Sequence, residues 1–212
     1  MQNVVIRAIE RLDFRTKEAY KTLRTNLSFA GKNVKVISLT SCTPNEGKTS
    51  VSFQLCLSLA ESGKQTILVD ADLRKSVLRG RYKANREKYG LSHYLSGQVE
   101  LDDACCRTNV NNFDIIFAGP VPPNPSELLG GDAFRNMLEV LRMKYDYVIV
   151  DTPPLGSVID AAIVGAICDG TVIVVESGAI SYKFVQNVKE QLNKVGCRIL
   201  GCVLNKVNTK KN

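Results

Sequence analysis

With 212 residues the chain is long enough for one domain that buries roughly 70% of its unfolded surface, so neither disulfides nor a structural metal is required to hold a core. A composition of 44% hydrophobic and 23% charged residues excludes wholesale disorder, and no run approaches the ~18 consecutive apolar residues that a membrane helix needs. The formal charge of +7 is unevenly placed: residues 1 to 35 carry eight Lys/Arg against three acids, and residues 74 to 88 carry seven against Glu87 alone, clusters that suit an anionic partner or a solvated face.

The first 33 residues alternate charged and apolar positions, which predicts a helical segment and not a secretory signal. VKVISLT at 34 to 40 is the first predicted strand. Ser41-Cys42-Thr43-Pro44-Asn45-Glu46-Gly47-Lys48-Thr49 follows it and opens an apolar helix over 48 to 62. This nearly fits the phosphate-binding loop G-x-x-x-x-G-K-[ST], with Cys42 where the first glycine usually stands. Gly47 lets the backbone wrap phosphates, the helix dipole favours the anion, Lys48 can reach the β- and γ-phosphates, and the Thr49 hydroxyl can ligate Mg²⁺. Pro44, Asn45, Glu46 and Ser50 complete the loop and are further candidates for nucleotide contact.

TILVD at 66 to 70 is the second strand and runs into Asp70-Ala71-Asp72-Leu73-Arg74. Two carboxylates at i and i+2 beside a phosphate site serve a cation and an incoming nucleophile better than a simple turn. The basic, turn-rich stretch beyond it holds Tyr82, Tyr89 and Tyr94, which read as accessible, and His93, which reads as a packed or surface side chain. FDIIFA at 113 to 118 is a third strand, and Asn124-Pro125-Ser126-Glu127 is a helix start with Asn as N-cap. A helix over 132 to 143 leads to YVIVD at 147 to 151, whose apolar run ending in Asp151 is a Walker B pattern. Helices over 157 to 167 and 181 to 195 alternate with strands over 171 to 176 and 198 to 205, the last ending at Asn205. The β-α-β-α order of continuously apolar strands predicts an α/β, doubly wound, mostly parallel sheet with ligands at the strands' carboxyl ends. Cys42, Cys56, Cys105, Cys106, Cys168, Cys197 and Cys202 have no CxxC spacing and read as small hydrophobes in a reducing compartment.

These motifs, with GPVPPNPSELL at 119 to 129, resemble the bacterial tyrosine kinases of capsular and exopolysaccharide synthesis, in the form whose cytoplasmic catalytic half is a separate chain. The family's P-x-E-G-K Walker A, D-x-D-x-R and Walker B fall on Pro44 to Thr49, Asp70 to Arg74 and Asp151. The related partition and septum-site ATPases of the same P-loop group carry a second lysine where Thr43 stands here. The resemblance implies Mg-ATP as cofactor, with Lys48, Asp70 and Asp72 catalytic, Thr49, Asp72 and Asp151 around the metal, and Asn205 near adenine. Which of Asp70 and Asp72 is the base stays open.

The resemblance also implies a homo-oligomeric ring built through Glu18, Lys21 and Arg24, the last two standing for the arginines of an E-x2-R-x2-R helix. Partners would be a separate transmembrane activator, or polysaccharide co-polymerase, and protein tyrosine substrates, with no nucleic acid, at the inner face of the plasma membrane. The division expected is an N-terminal self-association segment at 1 to 33, a P-loop kinase domain at 34 to 206 and a short tail at 207 to 212. The tyrosine cluster that usually ends such kinases has no counterpart after Tyr182, so the substrate is expected in another protein or the tail in a lost segment. An ATP-switched ATPase and a non-catalytic nucleotide-binding regulator are the rival readings.

Overall fold

Continuous β-branched runs form the middle of an eight-stranded sheet in a computed structural model that describes residues 1–85 and 88–208. Arg86 and Glu87 of the basic stretch and residues 209–212 of the expected tail lie outside the described residues. In chain order the elements are β1 (Gln2–Val4), α1 (Phe14–Phe29), β2 (Val36–Ser41), α2 (Lys48–Glu61), β3 (Thr66–Asp70), α3 (Leu78–Arg81), α4 (Leu91–Leu95), α5 (Leu101–Ala104) and β4 (Cys106–Thr108). There follow β5 (Phe113–Ile116), α6 (Pro125–Gly130), α7 (Asp132–Lys144), β6 (Tyr147–Asp151), α8 (Asp160–Gly165), β7 (Gly170–Glu176), α9 (Tyr182–Lys194) and β8 (Ile199–Asn205).

The sheet order is β1-β4-β5-β3-β6-β2-β7-β8, parallel throughout except for the antiparallel β4–β5 pair. β2 and β3 are buried along their whole length because each face carries a layer of its own. Ile37, Leu39, Leu68 and Ile149 point to the layer built on α2, with Phe53, Leu55 and Leu59, while Val36, Ile67, Val69, Val148 and Val150 point to that of α7, with Phe134, Met137 and Leu141. This alternation within uniformly apolar strands is the period of two of a pleated strand. α2 is buried on nearly every side, from Lys48 to Ala60, which explains why its sequence lacks an amphipathic pattern.

Three expectations change. The N-terminal segment is not helical throughout: β1 adds to the sheet beside β4, and Val4 and Ile6 enter the same core as Phe53 and Phe113. Asn124 stands at the N-cap of α6, but its amide donates to Glu127 Oε2 at 2.7 Å and does not cap the backbone. Tyr82 is not accessible; it is 4% exposed and its ring stacks on Phe53 with centroids 3.5 Å apart. Cys42, Cys56, Cys105, Cys106 and Cys197 are buried free thiols as expected, whereas Cys168 is half-buried and Cys202 is exposed.

β2 and β3 are not neighbours; β6 lies between them. The register sets Leu39 and Asp70 on either side of Asp151, so the carboxyl ends of three central strands converge on one place.

Candidate nucleotide-binding site

The loop between β2 and α2 needs two left-handed residues to turn into the helix, Asn45 at φ 70° and Gly47 at φ 87°. The left-handed φ calls for glycine at Gly47, and a Cβ there would also lie 2.2 Å from the Asn205 amide nitrogen and force that side chain to shift. The carboxylate of Glu46 is buried and turned into the protein. It accepts from the Thr43 N–H with one oxygen and from the Glu176 N–H, at 2.9 Å, with the other, and so ties the loop to the end of β7. Asn205 Nδ2 donates to the Glu46 carbonyl at 2.8 Å, and Lys206 Nζ donates to the Asn45 carbonyl at 2.7 Å and pairs with Glu176 at 2.8 Å. β7 and β8 thus hold the loop from behind. Glu46 and Asn205, expected as nucleotide contacts, both serve here as loop anchors.

Lys48 is 6% exposed, and its ammonium meets Asp151 Oδ1 at 2.7 Å. Ser52, one turn further along α2, also donates to Asp151 Oδ1, at 3.0 Å. The other oxygen, Asp151 Oδ2, is buried with no hydrogen-bond partner among the described residues. Leaving a charged acceptor in this state costs several kcal/mol unless a ligand, cation or water completes it, on the order of 1–3 kcal/mol even for a neutral group.

Asp70, opposite Asp151 in register, is fully buried. Burial, and then the Asp151 charge, push its pKa up from 3.8 to about 7 against the hydrogen bond from Ser76. Ser76 Oγ donates to Asp70 Oδ2, and the Asp72 N–H donates to Asp70 Oδ1 at 3.3 Å. Asp72 is half-buried, accepts from the Lys75 N–H at 3.0 Å and lines the cleft. Arg74 lines the cleft, and its guanidinium is held there by Asp160: Nε and Nη2 grip that carboxylate at 2.7 and 3.2 Å, and Nη2 reaches Ser126 at 2.8 Å. Burial would raise the Asp160 carboxyl, but the bonds from Arg74 and Ser126 outweigh it and hold the pKa low.

The cleft holds about 260 Å³ and lies between Pro44–Ser50 on one side and Asp72, Arg81 and Pro154 on the other. Ser50 is bonded across its mouth by Arg81 Nη1 at 2.8 Å. Backbone N–H groups at the head of α2, a lysine, a hydroxyl at Thr49 and an orphaned carboxylate oxygen fit a phosphorylated ligand with a divalent cation. Among the described residues no group of three or more His, Cys, Asp or Glu converges as a metal cage, so a cation here would share ligand oxygens with few protein ones.

Several contributors escape the sequence reading. Gly156 is one: a Cβ there would sit 2.2 Å from the Cys42 carbonyl, and its N–H donates to that same carbonyl at 3.2 Å. Its tight approach holds the position where the motif usually has its first glycine. Ser52 could have been found from its i+4 spacing to Lys48 on a buried helix; Ser76 and Asp160 carry no such signal.

Residues 34–201 match a family model described as an AAA domain. Over 194 residues, 92% of this chain and 85% of the relative, the sequence is 45% identical to tyrosine-protein kinase CpsD of Streptococcus agalactiae. The chain belongs to the bacterial tyrosine-protein kinase family. As a member it is a protein-tyrosine kinase with a nucleotide site. The kinase domain of the Escherichia coli tyrosine kinase ETK superposes with a TM-score of 0.89 at 33% identity, covering 100% of this chain and 92% of that one. The septum site-determining protein MinD of Pyrococcus horikoshii, solved with Mg-ADP, superposes at 0.70 with 25% identity over 84% of this chain and 72% of that one, which places the kinase on the MinD-like P-loop fold. Among the described residues no helix is long and apolar enough to cross a membrane.

Proposed function

We propose that this kinase transfers the γ-phosphoryl group of Mg-ATP to tyrosine hydroxyls of proteins that govern capsular or exopolysaccharide synthesis and export. The observation that carries the reading is Asp70: a buried carboxyl at the sheet's ligand edge, raised to about 7, beside the Lys48–Asp151 pair. A tyrosine hydroxyl with a pKa of about 10 gains from a proton acceptor in the transition state, and a base titrating near neutral pH is well matched to accept it. Asp70 would take that proton, with Ser76 and the Asp72 N–H fixing the direction of its lone pairs. Lys48 would hold the β- and γ-phosphates and offset the charge that gathers there. Bound Mg²⁺ would neutralise phosphate charge, held by Thr49 and Asp72, with Asp151 and its spare Oδ2 ordering the metal's water shell. The protein's contribution would be positioning and electrostatic stabilisation, with Asp70 as the proton acceptor.

Membrane attachment would come through a separate transmembrane activator at the inner face of the plasma membrane. A ring would form through the α1 surface carrying Glu18, Lys21 and Arg24. On that surface Lys21 pairs with Glu18 at 2.7 Å, and Arg24 already donates to the Ser58 carbonyl on α2 at 2.6 Å, so a second subunit would have to compete with contacts inside this one. Incubation with Mg-ATP and a tyrosine peptide tests the reading. Phosphate ester on tyrosine is expected; release of inorganic phosphate with no ester would favour an ATP-switched ATPase instead.

A further inference from the structure

The chain holds seven tyrosines, and six of them are poor phosphate acceptors where they stand. Tyr82 is stacked on Phe53, and Tyr20 and Tyr147 pack against the same core. Tyr145 commits its O–H to Asp114 Oδ2 at 2.8 Å, and half-buried Tyr94 turns its O–H to the Ala133 carbonyl at 3.5 Å. Tyr89 is half-buried with its ring edge-on to His93. Tyr182 alone stands out in solvent, 79% exposed. It is the first residue of α9, at the end of the sheet where β7 meets the nucleotide loop through Glu46. The chain leading to it, Gly178 to Ser181, is exposed apart from half-buried Ile180. The Tyr182 hydroxyl accepts from Gln186 Nε2, so its own proton is uncommitted among the described residues.

Asp70 of the same molecule is badly placed to take that proton. β6 and β2 separate β3 from β7, so the ends of those two strands lie roughly 14 Å apart at about 4.8 Å per strand. Val188 and Leu192 hold α9 in a cluster with Ile173 and Val175 of β7, and Phe184 and Val185, next to Tyr182, pack against the same cluster. Swinging Tyr182 across to β3 would strip them from it. A second molecule presents no such obstacle, because Lys75 and Val77 on the rim of its nucleotide cleft are exposed.

We infer that Tyr182 is a phosphorylation site of this kinase, modified by a second copy of the chain. The inference rests on the kinase reading above. In the step, the Tyr182 hydroxyl oxygen attacks the γ-phosphorus of ATP in the second copy, the bond from that phosphorus to the β,γ-bridging oxygen breaks, and ADP leaves with the bonding pair. The phenolic proton passes to the Asp70 carboxylate of the copy that holds the ATP. The new phosphate then stands at the start of a 13-residue helix, followed in sequence by Lys183, where the macrodipole favours an anion.

The test mixes the parent chain with an affinity-tagged Lys48→Ala chain, Mg-ATP and an added tyrosine peptide, re-isolates the tagged chain and maps its phosphotyrosines by mass spectrometry. A tagged Asp70→Asn chain serves as a second acceptor, so that a folding defect in one variant does not decide the result. Phosphate is expected on Tyr182 of both tagged chains ahead of the other six tyrosines, at a rate that rises with the concentration of the parent. A parent carrying Tyr182→Phe should lose most of its own phosphate label and still phosphorylate the peptide at the unsubstituted rate, because an exposed hydroxyl outside the site serves neither fold nor chemistry. A dominant site at any other tyrosine overturns the inference. So does Tyr182 labelled in the parent but in neither tagged chain, which would mean transfer within one molecule. The two readings fail distinguishably: a phosphorylated peptide beside unmodified Tyr182 sinks the acceptor site alone, and phosphate on neither sinks the kinase reading and the site with it.

Discussion

Replacing Asp70 by asparagine should abolish phosphotransfer and at the same time make the protein more stable above neutral pH. The carboxyl is fully buried and its pKa stands at about 7 in the folded chain against 3.8 in the unfolded one, with burial the larger cause and the Asp151 charge the second. A raised carboxyl pKa means that the folded state holds a proton that the unfolded state has released between those two values. Asp70's contribution to stability is then fully present below pH 3.8 and is lost as pH rises through about 7. A shift of about three units corresponds to on the order of 4 kcal/mol as an upper limit, since each unit is about 1.4 kcal/mol. Asparagine has nearly the same shape, carries no charge at any pH and can still accept from Ser76. Its variant should therefore melt several degrees higher than the parent at pH 8, at about 2–4 °C per kcal/mol for this chain length. The gap should narrow at pH 5, where the parent's Asp70 is protonated. Calorimetry of both proteins from pH 5 to 8, without nucleotide, reads the difference, and the parent's kcat/KM should rise across the same interval as the base ionises. An asparagine variant that is equally or less stable at pH 8, or a flat pH–rate profile, would show that Asp70 is neither strained by burial nor the base.

Lys48→Ala should slow phosphotransfer roughly 10²–10³-fold by removing charge at the γ-phosphoryl. It should also lower Tm, because Asp151 would be left buried and unpaired; adding Asp151→Asn should recover part of the Tm and none of the rate. Gly156→Ala should weaken ADP binding at least tenfold in titration calorimetry, since the new methyl would meet the Cys42 carbonyl and push the phosphate loop out of register; unchanged affinity would mean that the loop is soft there. Glu46→Ala strands the N–H groups of Thr43 and Glu176, at about 1–3 kcal/mol each, and should loosen the loop enough to be seen as faster amide exchange at both residues. Phosphosite mapping after incubation with Mg-ATP should find Tyr82 unmodified, because its ring is packed on Phe53.

Elements and motifs with a strong local signature were readable from the sequence. TILVD and YVIVD form strands over the same residues that the apolar runs delimit, and Gly47-Lys48-Thr49 opens a buried helix as its motif requires. Less readable were pieces whose structure depends on distant partners. β1 is three residues long and exists because β4 lies beside it; nothing in Gln2–Val4 announces a strand. Tyr82 reads as exposed because charge and turns surround it, whereas its ring packs on Phe53 of α2. Around the site, residue types in a motif gave the chemistry, but not the division of labour. Glu46 and Asn205 belong to the expected nucleotide contacts, and their hydrogen bonds, which brace the loop from β7 and β8, depend on partners that the motif does not contain; the different burial of Asp70 and Asp72 is likewise invisible in their spacing. Arg74 belongs to a phosphate-site motif, yet its guanidinium is fixed on Asp160, 86 residues away in sequence.

The most direct test of the whole account is a single-turnover quench experiment with labelled ATP and an acceptor tyrosine peptide, counting phosphotyrosine and inorganic phosphate in the same samples. Label should pass to tyrosine in the parent protein, with transfer lost in both Lys48→Ala and Asp70→Asn. Label appearing only as inorganic phosphate, or transferred to tyrosine at the parent's rate in either variant, would contradict it.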